Sequence, residues 1–130
     1  MSRENVEIVR ALWSAFERFE VPPDAVANDV EWNTAADMPD SETCKGVKAI
    51  QQMLAVGWEN VVDPGLAAEE LIDAGERVVV RWRGWGRGRA SGLPVDWRET
   101  HIYELRNGKV VAVREYRSWE QALTAVGLAG

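Results

Sequence analysis

The 130 residues are 46% hydrophobic and 28% charged, a balance typical of one folded domain and unlike that of a disordered chain. The 21 acidic residues outnumber the 15 basic ones and give a net charge of −6. This argues against binding to a nucleic-acid backbone, which requires clustered Lys and Arg. The single cysteine, Cys44, excludes an internal disulfide, and one thiol with one histidine does not supply a zinc-binding set.

The N-terminal segment carries charges at Arg3, Glu4, Glu7 and Arg10, so it lacks the apolar centre of a secretory signal peptide. No stretch elsewhere approaches the roughly 18 apolar residues of a membrane span. We therefore expect a cytoplasmic protein with no membrane partner.

The N-terminal half shows helical periodicity. Apolar residues recur every three or four positions over residues 3–19 and again over 47–59, which predicts two amphipathic helices. Between them, "DVEW" (29–32) predicts an extended segment, and residues 33–46 predict a long polar loop. The sequence "DPG" at 63–65 predicts a turn.

The second half changes to the alternating period of strands. Four strands are predicted over residues 66–75, 76–88, 93–106 and 108–118. Asn107-Gly108 separates the last two and is a strong hairpin signal. Residues 118–128 predict a closing helix. Helices followed by an antiparallel meander predict an α+β domain with the helices on one face of a curved sheet.

Several phrases in this order resemble the SnoaL-like branch of the nuclear transport factor 2-like (NTF2-like) superfamily, which includes ketosteroid isomerase, scytalone dehydratase and limonene-epoxide hydrolase. The phrases are "ENVEIVRALWSAF" (4–16), "DVEW" (29–32), "KGVKAI" (45–50), "IDAGERVVVRWRGWGRG" (72–88), "ELRNGKVVAVREY" (104–116) and "EQALTAVGL" (120–128). The resemblance implies a single domain over residues 1–130. Its fold would be a cone-shaped α+β barrel, in which N-terminal helices pack on a strongly curved, mostly antiparallel sheet around an apolar cavity.

The resemblance does not imply one reaction, because the superfamily contains isomerases, cyclases, dehydratases, hydrolases and non-catalytic binding domains. The first-helix tyrosine of ketosteroid isomerases aligns near Leu12 and their general-base aspartate near Asn33 or Thr34, so that pathway is not expected. Their oxyanion-hole acid aligns with His101. An essential aspartate on the last strand of related cyclases and epoxide hydrolases corresponds to Glu115.

The resemblance therefore implies a catalytic group of Glu115, His101, Arg81 and Arg83. Glu115 would move a proton or activate water, His101 would polarise or protonate an oxygen, and the arginines would stabilise negative charge. The same alignment turns Glu99 and Val111 inward. The residues that it implies for substrate binding are Trp13, Phe16, Trp85, Trp97, Tyr103, Val113 and Arg117.

Strand parity leaves a second interpretation open for the arginines. If Val78, Val80 and Trp82 form the inner face, Arg81 and Arg83 lie on a solvated outer face, which is the usual meaning of alternating charge on a strand. A slip of one residue exchanges the two faces, because the side-chain period of a strand is two.

The other polar candidates also have structural interpretations. Glu115 could be a surface carboxylate paired with Arg114 or Arg117. His101 could be a buried structural histidine rather than a catalyst. Trp85 and Trp97 could pack rather than bind.

Two functional hypotheses follow, and neither requires a cofactor or metal. The first is an enzyme that uses cofactor-free acid–base chemistry on an apolar carbonyl-bearing or epoxide substrate, and it requires buried pairing of Glu115 with His101. The second is a non-catalytic ligand-binding or dimerisation domain, which a small or dry cavity would favour. We also expect a homodimer through the outer sheet face, with Trp82, Ile102 and Tyr116 supplying apolar area.

Overall fold

The computed structural model describes residues 2–36, 38–39 and 41–128. These residues form three α-helices, one 3-10 turn and six strands. The elements in chain order are α1 (Ser2–Phe16), the 3-10 turn (Pro23–Ala25), β1 (Val26–Thr34), β2 (Glu42–Lys45), α2 (Val47–Gly57), β3 (Val61–Ala74), β4 (Arg77–Gly88), β5 (Pro94–Arg106), β6 (Lys109–Tyr116) and α3 (Trp119–Ala125). The α+β class is confirmed. In the part of the chain that the structure describes, no helix has the length and apolar character needed to cross a membrane.

The six strands form one curved sheet in the order β2-β1-β6-β5-β4-β3, and the sheet does not close into a full barrel. Neighbouring strands are antiparallel except β1 and β6, which run parallel. Asn107 and Gly108 connect β5 to β6 with φ angles of 53° and 76°, the left-handed values that a two-residue hairpin turn requires. The predicted hairpin is confirmed.

The main core lies on the concave face of the sheet. Helix α1 buries Val9, Leu12, Trp13 and Phe16 there, because residues spaced by three or four share one face of a helix. From α2, Ile50 is buried in the same core. The helices therefore cover the inner face of the sheet, as the resemblance implied.

A smaller core lies on the opposite, outer face. There Val79 and Ile102 pack under Ala122 and Val126 of the C-terminal segment. Ser118 caps α3 by accepting a hydrogen bond from the backbone N–H of Gln121 at 3.2 Å. Helix α3 thus covers apolar surface that we expected to serve a dimer. Homodimerisation through this face stays a prediction.

The turn predicted at 63–65 is wrong, because these residues lie within β3. The pairing of β3 with β4 shifts between Val62 and Gly65, which marks a β-bulge, and Asp63 adopts a φ of 50°. Gly65 is required here because the indole ring of Trp85 occupies the space of a side chain. The bulge bends the strand without ending it.

The predicted loop over residues 33–46 is shorter than expected. Its first residues extend β1 to Thr34, and its later residues form β2, which pairs with β1. Asp37 and Asp40 of this loop lie outside the described residues.

A second bulge changes the inner face of β6. Glu104 pairs with Ala112 and Leu105 with Val110, so Val111 is an extra residue in the ladder. Val110 therefore joins the core cluster in place of Val111, whose predicted inward position is wrong. Beyond the bulge the expected parity holds, which is what directs Glu115 inward.

Candidate active site

A cavity of about 430 Å³ lies between the concave face of the sheet and helices α1 and α2. Its volume is within the range of small-molecule sites, roughly 300–1,000 Å³. The aromatic side chains in its wall are Trp13, Phe16, Trp32, Trp58, Trp82 and Trp97, and the polar ones are Thr34, Glu99, His101 and Glu115. Within the described residues, no lysine or arginine lines it.

The register of the central strands brings the three ionisable groups together. His101 on β5 lies directly opposite Glu115 on β6, and Glu99 precedes His101 by two residues and so shares its face. On the other side of β5, Trp82 pairs with Glu99. We call Glu99, His101 and Glu115 the buried triad.

The geometry of the buried triad centres on the imidazole ring. His101 Nε2 lies 3.5 Å from Glu99 Oε1 and 3.9 Å from Glu115 Oε2. His101 Nδ1 lies 2.9 Å from the Tyr103 hydroxyl, which fixes the orientation of the ring. The side chains of His101, Glu99 and Glu115 are only 5%, 9% and 17% exposed. The buried pairing that the acid–base hypothesis requires is therefore present.

Two indole groups hold the carboxylates. The Trp32 N–H donates a hydrogen bond to Glu115, and the Trp97 N–H donates one to Glu99 Oε2 at 3.4 Å. Sequence reasoning missed Trp32. The available signal was its spacing from Val30, because two apolar residues separated by one position share one face of a strand, and both are buried here.

The buried environment shifts the acidity of two groups. The pKa of Glu115 is raised, first by burial and also by the charge of Glu99 and a hydrogen bond with it, while the charge of His101 and the Trp32 hydrogen bond act in the opposite direction. Burial holds the pKa of Tyr103 well above its usual range, so its hydroxyl stays protonated beside His101.

The predicted inward orientation of Arg81 and Arg83 is wrong. On β4, Val80 and Trp82 face inward and belong to the core. Arg81 and Arg83 alternate with them and therefore lie on the outer face. Arg81 lies over the Trp119 ring at 5.0 Å from its centroid, and Arg83 Nε contacts Asp96 Oδ1 at 3.0 Å. Neither arginine lines the cavity, and the interpretation with Val80 and Trp82 inside is the correct one.

Trp85 follows the same parity and is also outside the cavity. It is 37% exposed, it packs on Gly65, and the Arg83 guanidinium lies 5.3 Å from its ring centroid. Trp82, which we expected to contribute to an outer dimer surface, takes the inner position instead.

The remaining predicted binding residues divide into three sets. Trp13, Phe16 and Trp97 line the cavity as expected. Tyr103 and Val113 are 0% and 1% exposed and lie in the core behind the wall. Arg117 is placed near the Trp97 ring, 5.9 Å from its centroid, and does not line the cavity.

One backbone position shapes the cavity wall. Gly84 is the next inner-face position of β4 after Trp82, and the Trp58 ring occupies the space that a side chain at Gly84 would fill. The absence of a side chain at Gly84 therefore leaves room for the Trp58 ring against the strand.

Comparison with known proteins agrees with this architecture. The sequence model of the SnoaL-like domain matches residues 9–113. An NTF2-like protein of unknown function from Burkholderia pseudomallei K96243 superposes with a TM-score of 0.73 at 22% identity, covering 95% of this chain and 98% of that one. A provisionally named SnoaL-like polyketide cyclase from Jannaschia sp. CCS1 gives 0.76 at 18% identity, with 99% and 95% covered. No curated protein matches the sequence significantly.

A third similar structure is a hypothetical protein with a ketosteroid isomerase-like fold from Catenulispora acidiphila DSM 44928, with a TM-score of 0.69, 19% identity, and 94% and 93% of the two chains covered. The fold and the cavity define an NTF2-like α+β protein with ionisable groups buried at one internal site. More specifically, the chain belongs to the SnoaL-like domain family.

Proposed function

We propose that this protein is a small-molecule enzyme that performs acid–base chemistry on an apolar, carbonyl-bearing or epoxide substrate in the cavity. The observation that carries the proposal is Glu115, a mostly buried carboxylate at the cavity wall with a raised pKa, paired with His101. A base with a pKa raised toward the working pH is better suited to proton transfer than an ordinary glutamate.

The neighbouring groups support a division of roles. Glu115 removes a proton or activates water, while the Trp32 N–H holds its carboxylate in place. His101 donates to the substrate oxygen, and Tyr103 keeps its ring oriented. With Arg81 and Arg83 outside, stabilisation of developing negative charge falls to His101 among the polar groups that line the cavity.

The substrate class follows from the wall. Aromatic and aliphatic side chains dominate it, so the body of the ligand is apolar, and the reacting oxygen is placed against the buried triad. The volume of about 430 Å³ is large enough for a small organic molecule. A cavity too small for both groups would favour a non-catalytic ligand-binding or dimerisation domain, and the presence of Glu115 and His101 together in the wall of this cavity supports the enzyme instead.

The test is hydrogen exchange, which reports proton abstraction whatever the overall reaction. A panel of apolar ketones is incubated with the protein in deuterated buffer containing a chelator, and deuterium incorporation next to the carbonyl is followed by NMR. Glu115→Gln should reduce exchange of an accepted ketone by about 10²- to 10⁴-fold. The wild-type rate should rise with pH through the Glu115 pKa, because only the ionised carboxylate acts as a base.

Glu104→Gln is the matched control, since Glu104 lies on β5 beside an exposed arginine and outside the cavity. Its exchange rate should equal that of the wild type. Ketones that bind, yet exchange no faster with wild-type protein than with Glu115→Gln, would contradict the proposal and favour the non-catalytic ligand-binding domain.

A further inference from the structure

We propose that Glu99, His101 and Glu115 also form a binding site for one divalent first-row transition-metal ion, with its open positions facing the cavity. Cys44 and His101 alone do not supply a zinc-binding set. The structure adds two carboxylates to the single histidine. One donor atom from each member of the buried triad lies within 4.8 Å of the others.

The second, independent observation is that His101 Nε2 lies near two carboxylates without a hydrogen bond to either. His101 is 4% exposed, and its Nε2 makes no hydrogen bond although it is buried. Nδ1 is directed at the Tyr103 hydroxyl, so Nε2 is directed at the two carboxylates. When Nδ1 carries the proton, the Nε2 lone pair faces two negatively charged groups, and a cation between them resolves that arrangement.

The two separations from His101 Nε2 are close to those that such an ion requires. Metal bonds of about 2.1 Å place two ligand atoms about 3.0 Å apart at a right angle and about 3.4 Å apart in a tetrahedron. The separation of 3.5 Å between His101 Nε2 and Glu99 matches the tetrahedral value. The separation of 3.9 Å to Glu115 requires its carboxylate to move inward by about 0.5 Å.

Each proposed ligand has an outer partner that orients it, as is general in metal sites. Tyr103 holds the His101 ring, Trp32 donates to Glu115, and Trp97 donates to Glu99. The partners of His101 and Glu99 leave a separate inward-facing donor atom on each side chain, whereas Glu115 would bind the ion through a second lone pair of Oε2, the oxygen that accepts from Trp32.

The ligand set indicates the class of metal. One imidazole with two carboxylates suits Mn²⁺, Fe²⁺, Co²⁺ or Zn²⁺, whereas Ca²⁺ and Mg²⁺ prefer oxygen alone and Cu⁺ prefers sulfur. The cavity walls in the described residues hold no lysine or arginine that would repel the ion or take its place. The proposal goes beyond the acid–base function and does not depend on it. A proton and a metal ion are alternative occupants of the same three groups, so the groups can bind an ion whether or not they also transfer a proton to a substrate.

The experiment uses the full chain without an affinity tag, so that His101 is the single histidine present. Co²⁺ is added, and the hyperfine-shifted proton resonances of a coordinated imidazole are recorded. Zn²⁺ binding is measured by calorimetry on the same samples. We expect one shifted imidazole ring and one Zn²⁺ ion per chain.

Variants then assign the ligands. His101→Gln should abolish the shifted ring resonances, and Glu99→Gln should weaken Zn²⁺ at least about 10-fold. Glu104→Gln and Cys44→Ser, which change an exposed carboxylate and the single thiol, should leave the affinity unchanged. Circular dichroism confirms folding, and if His101→Gln is unfolded, Glu99→Gln and Glu115→Gln carry the assignment.

Tyr103→Phe tests the orienting partner separately. It leaves all three ligands in place and should weaken Zn²⁺ by about 10- to 100-fold while keeping the shifted imidazole signature. No shifted ring at millimolar Co²⁺, or equal Zn²⁺ affinity in wild type and Glu99→Gln, would overturn the proposal. The ketone-exchange assay contains a chelator, so either idea can fail without the other.

Discussion

The inner and outer faces of β4 and β5 carry similar residue types but place them in different surroundings. On the outer face, Arg83 pairs with Asp96 while their side chains remain 38% and 53% exposed. On the inner face, His101 and Glu99 are nearly inaccessible. Water screens the electrostatic attraction of the outer pair, whereas the electrostatic interactions among the buried inner groups are screened much less. Burial, not residue type, is what distinguishes these two sets of charges.

The same contrast applies to tryptophan. Trp82 and Trp85 are three positions apart on β4 and therefore lie on opposite faces. Trp82 packs with Trp13 and the His101 ring, whereas Trp85 stacks with Arg83 at the surface. The same substitution, tryptophan to alanine, can therefore be made on each face and the two results compared.

The largest loss of stability should come from Trp82, with Trp85 as the comparison. Trp82→Ala should lower the free energy of unfolding by about 3–5 kcal/mol, because it removes a large side chain from the core and leaves a void. Trp85→Ala should cost less than half as much. Urea unfolding followed by circular dichroism measures both, and equal losses would break the assignment of the two faces.

A smaller loss is expected at Gly84. In Gly84→Ala the new methyl group meets the Trp58 ring, so the ring must shift, at about 1–3 kcal/mol. Gly57→Ala is the control, since nothing lies within 4 Å of a methyl group there. A Gly84→Ala protein as stable as Gly57→Ala would contradict the described contact.

Removal of one buried hydroxyl should have a moderate effect. Tyr103→Phe deletes the partner of His101 Nδ1 and should cost about 0.5–1.5 kcal/mol. The ring nitrogen shifts of His101 should change at the same time, because Nδ1 loses its hydrogen-bond partner. Tyr116→Phe, on the outer side of the sheet, should leave those shifts unchanged.

The smallest effect is expected for the exposed ion pair. Arg83→Ala should change the free energy of unfolding by less than about 1 kcal/mol, because solvent screens the contact with Asp96. Thermal melts at low and high salt measure it. A large loss of stability that does not depend on salt concentration would contradict this and would place Arg83 in a buried environment.

Much of the fold could be predicted from the sequence, because helical spacing, strand alternation and the Asn107-Gly108 turn are local signals. The meeting of Glu115 with His101 was also anticipated, through the resemblance. The parity of β4 was not settled. Val78, Val79 and Val80 are consecutive apolar residues and carry no period of two, so Arg81 could be assigned to either face.

Other site features depend on contacts between distant segments. Trp32 reaches Glu115 because β1 runs parallel beside β6, and no pattern within either strand reveals that pairing. The extra residue at Val111 is likewise visible only as a shift in the ladder. Such features arise from tertiary pairing rather than from local sequence preference.

The contact between Gly84 and Trp58 makes the width of the cavity depend on the residue at position 84. Because the Trp58 ring lies where β4 has no side chain, the width of the chamber is set at a position that belongs to neither carboxylate nor histidine. We expect a substitution there to change the width of the cavity while the buried triad keeps its geometry. For the proposed enzyme, the size of the accepted ligand and the acid–base chemistry would therefore depend on different residues.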